Sequence, residues 1–139
     1  PALALSSHSN LEELFRRMAF NALISNTDDH PRNHALIAAG SSWQLSPAYD
    51  LVPSPSASHE RDLAMTIGPA GRRATRQNIL SEHRRYRLDR GAAEALVDHV
   101  RGVVETRWRD HLRAAGVADR ECTLLASAFG CPGFDYGSP

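Results

Sequence analysis

Apolar residues recur at helical spacing in two long stretches, with a short strand-like stretch between them. In the first, Leu11, Leu14, Phe15, Met18, Ala19 and Ala22 fall three or four apart, which predicts a helix of roughly fifteen residues with one buried stripe. Ser9, with Glu12 three residues on, has the capping-box pattern that would open it. Glu12 and Glu13 precede Arg16 and Arg17 at helical pair spacing, which predicts a solvated face. In the second stretch Ala92, Leu96, Val100, Val103, Val104, Trp108 and Leu112 keep the helical period over about six turns. That helix is expected to begin after Asp89 and to stop at Gly116. Thr75 suits the cap of a helix running to about Arg85, and Asp119 the cap of a last short one containing Leu124 and Leu125.

Between the helices, residues 34–39 and 42–45 flank Gly40-Ser41, the composition of a two-residue hairpin turn, with Trp43 expected to pack on the hairpin. Residues 52–58 read V-P-S-P-S-A-S and predict a mobile loop reaching Arg61. Residues 62–67 predict a short extended segment closed by the turn at 68–71. The pattern as a whole predicts a mainly α domain with one small β-hairpin over residues 1–128, followed by a glycine- and proline-rich end, 129–139, that is loosely held.

The chemistry-bearing residues cluster around the hairpin. Before it runs N-T-D-D-H-P-R-N, residues 26–33, and after it L-S-P-A-Y-D-L-V-P, residues 45–53. Asp28 and Asn33 lie five apart, and Asp50 follows 22 residues after Asp28. Phosphoryl transfer needs a group to position an attacking hydroxyl and take its proton, and Mg²⁺ to neutralise the phosphates. A carboxylate such as Asp28 suits the first task. The oxygens of Asn33 and Asp50 suit a hard cation for the second. In protein kinases the catalytic loop supplies an Asp and, five residues on, a metal-binding Asn, and a later D-F-G supplies the second ligand. Here the histidine follows the aspartate, and there is no D-F-G.

Together these motifs resemble the HipA-type serine/threonine kinases, whose loop reads N-T-D-x-H-x-x-N and whose metal aspartate sits in P-A-Y-D-L-x-P. Residues 63–68, L-A-M-T-I-G, are similar to the family's L-A-L-x-I-G. The resemblance covers about residues 10 to 115 and corresponds to the C-terminal part of such a kinase. It implies a helical C-terminal kinase lobe in which Asp28 is the catalytic aspartate and Asn33 and Asp50 hold Mg²⁺ on ATP. It further implies a cytoplasmic bacterial toxin with a helix-turn-helix antitoxin of HipB type as partner. A translation factor such as an aminoacyl-tRNA synthetase would be the substrate, and nucleic acid would be met only through the antitoxin. Taken singly, residues 26–29 fit an Asx turn or helix cap, and Tyr49-Asp50-Leu51 a strand end. Their joint occurrence at this spacing is what carries the kinase reading. His30 and His34 share a zinc-compatible helical spacing, but Pro31 between them favours a turn.

Composition changes this picture at several points. The chain has 139 residues, 42% hydrophobic and 23% charged, as expected of a single globular domain. Sixteen basic residues balance sixteen acidic ones, which leaves no global field for nucleic acid or an anionic membrane. All sixteen bases are arginine, so the lysine with which a kinase holds the α and β phosphates is not in this chain. With Pro1 as the first residue and no glycine-rich loop ahead of the motifs, an N-terminal lobe elsewhere is expected, and the chain alone is expected to be inactive. Seven arginines fall within residues 72–90, a patch that suits either phosphate or a solvated helix face. Cys122 and Cys131 are too few for a disulfide framework, and a single bridge between them stays open. There is no apolar run long enough to span a membrane. Two other functions fit the same residues. One is a non-catalytic interaction module of kinase descent, and the other is a metal-dependent phosphohydrolase built on Asp28, Asp29, His30 and Asp50.

Overall fold

The apolar stripe of the first helix does become the centre of the core. In the computed structural model, which describes residues 8–137, helix α1 (His8–Leu23) buries Phe15, Ala19, Ala22 and Leu23 completely. It packs against α3 (Arg90–Ala114), whose buried residues are Ala93, Val97, Val100 and Val104. The buried line on α3 is rotated from the expected stripe. Val103 is 40% exposed and Ala92 lies in solvent, because α3 is covered by α1 along one side only. Ser9 lies within α1 rather than at its cap, and Glu12 pairs forward with Arg16 at 2.7 Å. Arg17 also departs from the expected solvated face. It is 7% exposed, bonded to Glu13 at 2.9 Å and to Ser46 O at 2.6 Å.

The capping residues of the middle helices are as expected. Thr75 Oγ1 accepts from Asn78 N–H at 3.3 Å to open α2 (Arg76–Ser81), and Asp89 Oδ1 accepts from Ala92 N–H at 2.8 Å to open α3. Helix α2 is shorter than expected. It gives way to a 3₁₀ turn (His83–Tyr86) that closes on Arg87 in the left-handed region, φ 57°. Helix α4 (Asp119–Leu125) is opened by Ala118, whose N–H donates to Glu121 at 3.1 Å. Asp119, the expected cap, is instead taken by Arg113 at 2.6 Å.

Strands β1 (Leu36–Ala39) and β2 (Ser42–Leu45) form the hairpin, antiparallel and in register from Leu36↔Leu45 to Ala39↔Ser42. Gly40, at φ 60°, makes the turn. Asn10 on α1 clamps β2, donating to Trp43 O and accepting from Leu45 N–H, both at 3.2 Å. Trp43 itself is 54% exposed and does not pack as expected, since among the described residues no layer lies over the face of the hairpin that carries its ring. Mainly α with one small hairpin is therefore the architecture of the described residues.

Two segments expected to be loose are tied down. The guanidinium of Arg61, 5% exposed, donates to Ser25 Oγ and to the carbonyls of Ser56, Ser58, Glu60 and Ser127, which staples the serine-rich loop to the core. Near the C-terminus, Phe134 and Cys131 are buried, and Phe134 O accepts from Arg76 N–H at 2.7 Å. An aromatic side chain in the core outweighs the surrounding glycines and proline. Residues 62–67 form no strand: Asp62 makes an isolated bridge to Arg73, and Gly68 another to Gly71 across the turn that follows. Cys122 and Cys131 are free thiols, and burial pushes the Cys131 thiol up, keeping it protonated. The arginine patch is largely paired: Arg73 with Glu60 and Asp62, Arg76 with Asp98, Arg85 with Glu82 and Arg90 with Glu94.

Asn78 holds the turn at 68–73 by accepting from Ala70 N–H and donating to the carbonyls of Gly71 and Arg73. A Cβ on Gly68 would lie against the side-chain and main-chain oxygens of Asn78 and against Ser81 Oγ. Gly68→Ala is expected to destabilise the domain by about 1–3 kcal/mol, measured as a lower urea midpoint at unchanged m-value.

Candidate functional site

The polar loop is launched by the way α1 ends. Ser25 is left-handed at φ 55°, its N–H donates to Ala22 O at 3.3 Å, and Asn26 N–H donates to Asn21 O at 2.8 Å. These are the paired bonds of a Schellman closure, with serine where glycine is usual. A non-glycine residue there costs about 1–2 kcal/mol. The Ser25 hydroxyl offsets part of it, donating to Ala128 O at 2.8 Å and accepting from Arg61 Nε at 3.1 Å.

Asn26, 1% exposed, links three segments. Its Nδ2 donates to Asn21 Oδ1 at 3.1 Å and to Asp50 O at 3.5 Å, and its Oδ1 accepts from Asp28 N–H at 3.4 Å. The next turn is a 3₁₀ helix (Pro31–Asn33), with Pro31 presetting the backbone at its first position. This turn delivers Asn33, 8% exposed, whose Nδ2 donates to Asp50 Oδ2 at 2.9 Å. Asp50 has φ 57°, a conformation that aspartate tolerates better than most residues. Tyr49 ties the same two segments again, donating from its hydroxyl to Arg32 O at 2.6 Å.

The two neighbouring aspartates part company. Asp28 has a side chain 79% exposed and sits 2.7 Å from His30 Nε2. Asp29 faces inward, 9% exposed, and its Oδ1 is 2.8 Å from His34 Nε2. The structure thus brings Asn33 and Asp50 together and leaves Asp28 hydrogen-bonded to neither, connected to Asp50 through Asn26. His30 and His34 each face a different aspartate, so their sequence spacing does not become a shared metal site. Among the described residues no group of three His, Cys, Asp or Glu could hold a metal, and the four-residue phosphohydrolase constellation is not assembled. Asn33 and Asp50 each keep one oxygen outside their mutual bond. Such a hard-oxygen pair fits magnesium when phosphates and water fill the other positions.

Residues 2–108 match the HipA-like C-terminal domain. The chain belongs to that family. Among curated proteins, none matches it. The match to the HipA-like domain takes in α1, the polar loop, the hairpin, Asp50 and most of α3, whereas α4 and the C-terminal end lie beyond it. The positioning residues of this HipA-like domain were less legible in the sequence than its carboxylates. Asn21 and Asn26 interrupt an apolar run at the end of a helix, and that interruption was the only signal of buried asparagines. The link from Tyr49 to Arg32 had no signal at all.

These environments separate scaffold from surface. Asn26→Ala removes a buried amide with three partners and is expected to cost about 1–3 kcal/mol. Asp28→Asn, at an exposed side chain, is expected to change stability by less than about 0.5 kcal/mol. Parallel urea denaturation of the two variants checks this contrast.

Proposed function

We propose that this chain is the catalytic and metal-binding portion of a serine/threonine protein kinase, transferring the γ-phosphoryl of Mg-ATP to a protein hydroxyl. The observation that carries the proposal is the 2.9 Å bond between Asn33 and Asp50. It unites the ends of two motifs separated by a hairpin, in a chain that belongs to the HipA-like family. Asp28, exposed at the loop's outer edge, would receive the acceptor hydroxyl, orient it and accept its proton. His30 would hold the Asp28 carboxylate in place. Asn33 and Asp50 would hold magnesium, and the chemistry it supplies when bound is neutralisation of phosphate charge. The left-handed backbone at Asp50, braced by Asn26 and Tyr49, would keep that carboxylate facing Asn33.

The proposal extends to a cytoplasmic toxin paired with a helix-turn-helix antitoxin of HipB type, with a translation component such as an aminoacyl-tRNA synthetase as acceptor. No helix among the described residues is long and apolar enough to cross a membrane. Since the chain contains no lysine, the phosphate-holding lysine of the kinase mechanism would come from outside these 139 residues. Catalysis by this chain alone is therefore expected to be negligible.

The test is a calorimetric titration of the 139-residue chain with ATP and magnesium, beside Asp50→Asn and Asn33→Ala. Metal-dependent binding is expected in the parent and at least about tenfold weaker in either variant, roughly 1.4 kcal/mol, while Asp28→Asn binds as the parent does. Binding indifferent to Asp50→Asn would refute the assignment of the metal site.

A further inference from the structure

Asp29 and His34 have no part in the chemistry above, yet they are joined beneath the turn that presents Asn33. Asp29 is 6% exposed, and its Oδ1 lies 2.8 Å from His34 Nε2. His34 Nδ1 is buried without a hydrogen-bond partner. A proton there would have no acceptor, so the ring carries its N–H on Nε2 and donates it to Asp29. The bond joins residues five apart and encloses the whole 3₁₀ turn Pro31–Asn33. Inside it lie the two main-chain bonds of that turn, Asn33 N–H to His30 O at 2.9 Å and His34 N–H to Pro31 O at 3.2 Å. Asp28 directly precedes one member of the pair and Asn33 the other.

Packing does not hold this side of the loop. The pair lines a cavity of about 190 Å³ together with Leu14, Met18, Leu63 and Tyr86, so the loop backs onto open space where a close-packed core would otherwise fix it. Its own bonds must do so. Apolar walls strengthen them, because a hydrogen bond is electrostatically stronger where the local dielectric is low. The orphaned Nδ1 points the same way. An unsatisfied buried nitrogen is a cost that a phenyl ring in the same place would not carry, so what histidine contributes at position 34 is the Nε2 bond.

We propose that Asp29 and His34 are a positioning pair, whose bond closes the loop from the inside and sets the Asn33 side chain against Asp50. The inference rests on the metal assignment made above and extends it, since neither Asp29 nor His34 would touch the ion. Groups that orient a metal ligand without touching the metal typically matter by about 10–100-fold in affinity.

The experiment follows the Asn33 side-chain amide in ¹⁵N spectra of the full, ligand-free 139-residue chain, the signal being identified by its loss in Asn33→Ala. Asp50→Ala removes the carboxylate to which this amide donates and so defines where the signal moves when the contact is broken. His34→Phe keeps a ring in place but cannot donate, and is expected to move the signal to the Asp50→Ala position. His34→Gln, whose amide nitrogen stands as many bonds from Cβ as imidazole Nε2, is expected to hold it at the parental position. Asp29→Ser, too short to reach His34, is expected to match His34→Phe and decides the matter if that variant does not fold. Leu63→Ala, in the buried wall of the same cavity, is the control for stability alone: it is expected to lower the urea midpoint and leave the Asn33 signal in place. Magnesium-dependent ATP binding is expected to weaken about tenfold in His34→Phe and to recover in His34→Gln. The proposal is overturned if the signal stays parental in His34→Phe or, where that variant does not fold, in Asp29→Ser. It is equally overturned if His34→Gln fails to hold the signal, if Leu63→Ala displaces it as far, or if the parent's magnesium-dependent binding is unchanged in His34→Phe. Failure of the kinase reading looks different: the parent binds ATP no better with magnesium than without it, while the Asn33 signal still responds to His34→Phe and the positioning pair stands.

Discussion

Helix α1 holds the domain together by doing two jobs at once. Its apolar stripe fills the core, while its polar residues satisfy main-chain groups of β2 and of the irregular segments. Asn10 serves β2, Arg17 serves Ser46, and Asn21 with Asn26, just past the helix, serves Asp50. Buried backbone groups must find partners, and in a chain with so much irregular structure most ordinary partners are missing. Buried asparagine and arginine side chains take their place. Side chains on or just beyond one rigid element thus fix the loop that carries the candidate site residues, the support that a site built on loops needs.

The same constraint explains why the site is asymmetric. Asn33 and Asp50 lie where two chain segments are bridged repeatedly, by Asn26, by Tyr49 and by their own contact. Asp28 lies on the outer turn of the loop, its carboxylate exposed beside His30. In the proposed kinase role, a pair that is to hold magnesium would benefit from that fixed geometry. In the same proposed role, a residue that is to receive a separate acceptor would benefit from exposure. Arg17 and Arg61 show a further aspect of the design, since both bury a guanidinium to anchor loops. Arg61 spreads its donors over carbonyls and a hydroxyl, whereas Arg17 divides its bonds between the Glu13 carboxylate and Ser46 O.

By itself the sequence determined the long helices, the hairpin turn and the motif spacing. Those features rest on local periodicity, on capping at Thr75 and Asp89, and on the glycine at position 40. It also determined which residue types are available for chemistry, and so pointed to Asp28, Asn33 and Asp50. Where α1 stopped without glycine, at Ser25, the boundary was illegible, because tertiary contacts offset the left-handed backbone. Only the tertiary structure decided that Asn33 meets Asp50, that Asp29 turns inward to His34 while Asp28 stays outside, and that Phe134 and Arg61 pin segments whose composition reads as loose. It likewise decided that one side of α3, with Val103, stays open as a cleft. The physical reason is common to all of these. Burial and hydrogen-bond partners depend on which distant segment arrives, and nothing in local spacing encodes that.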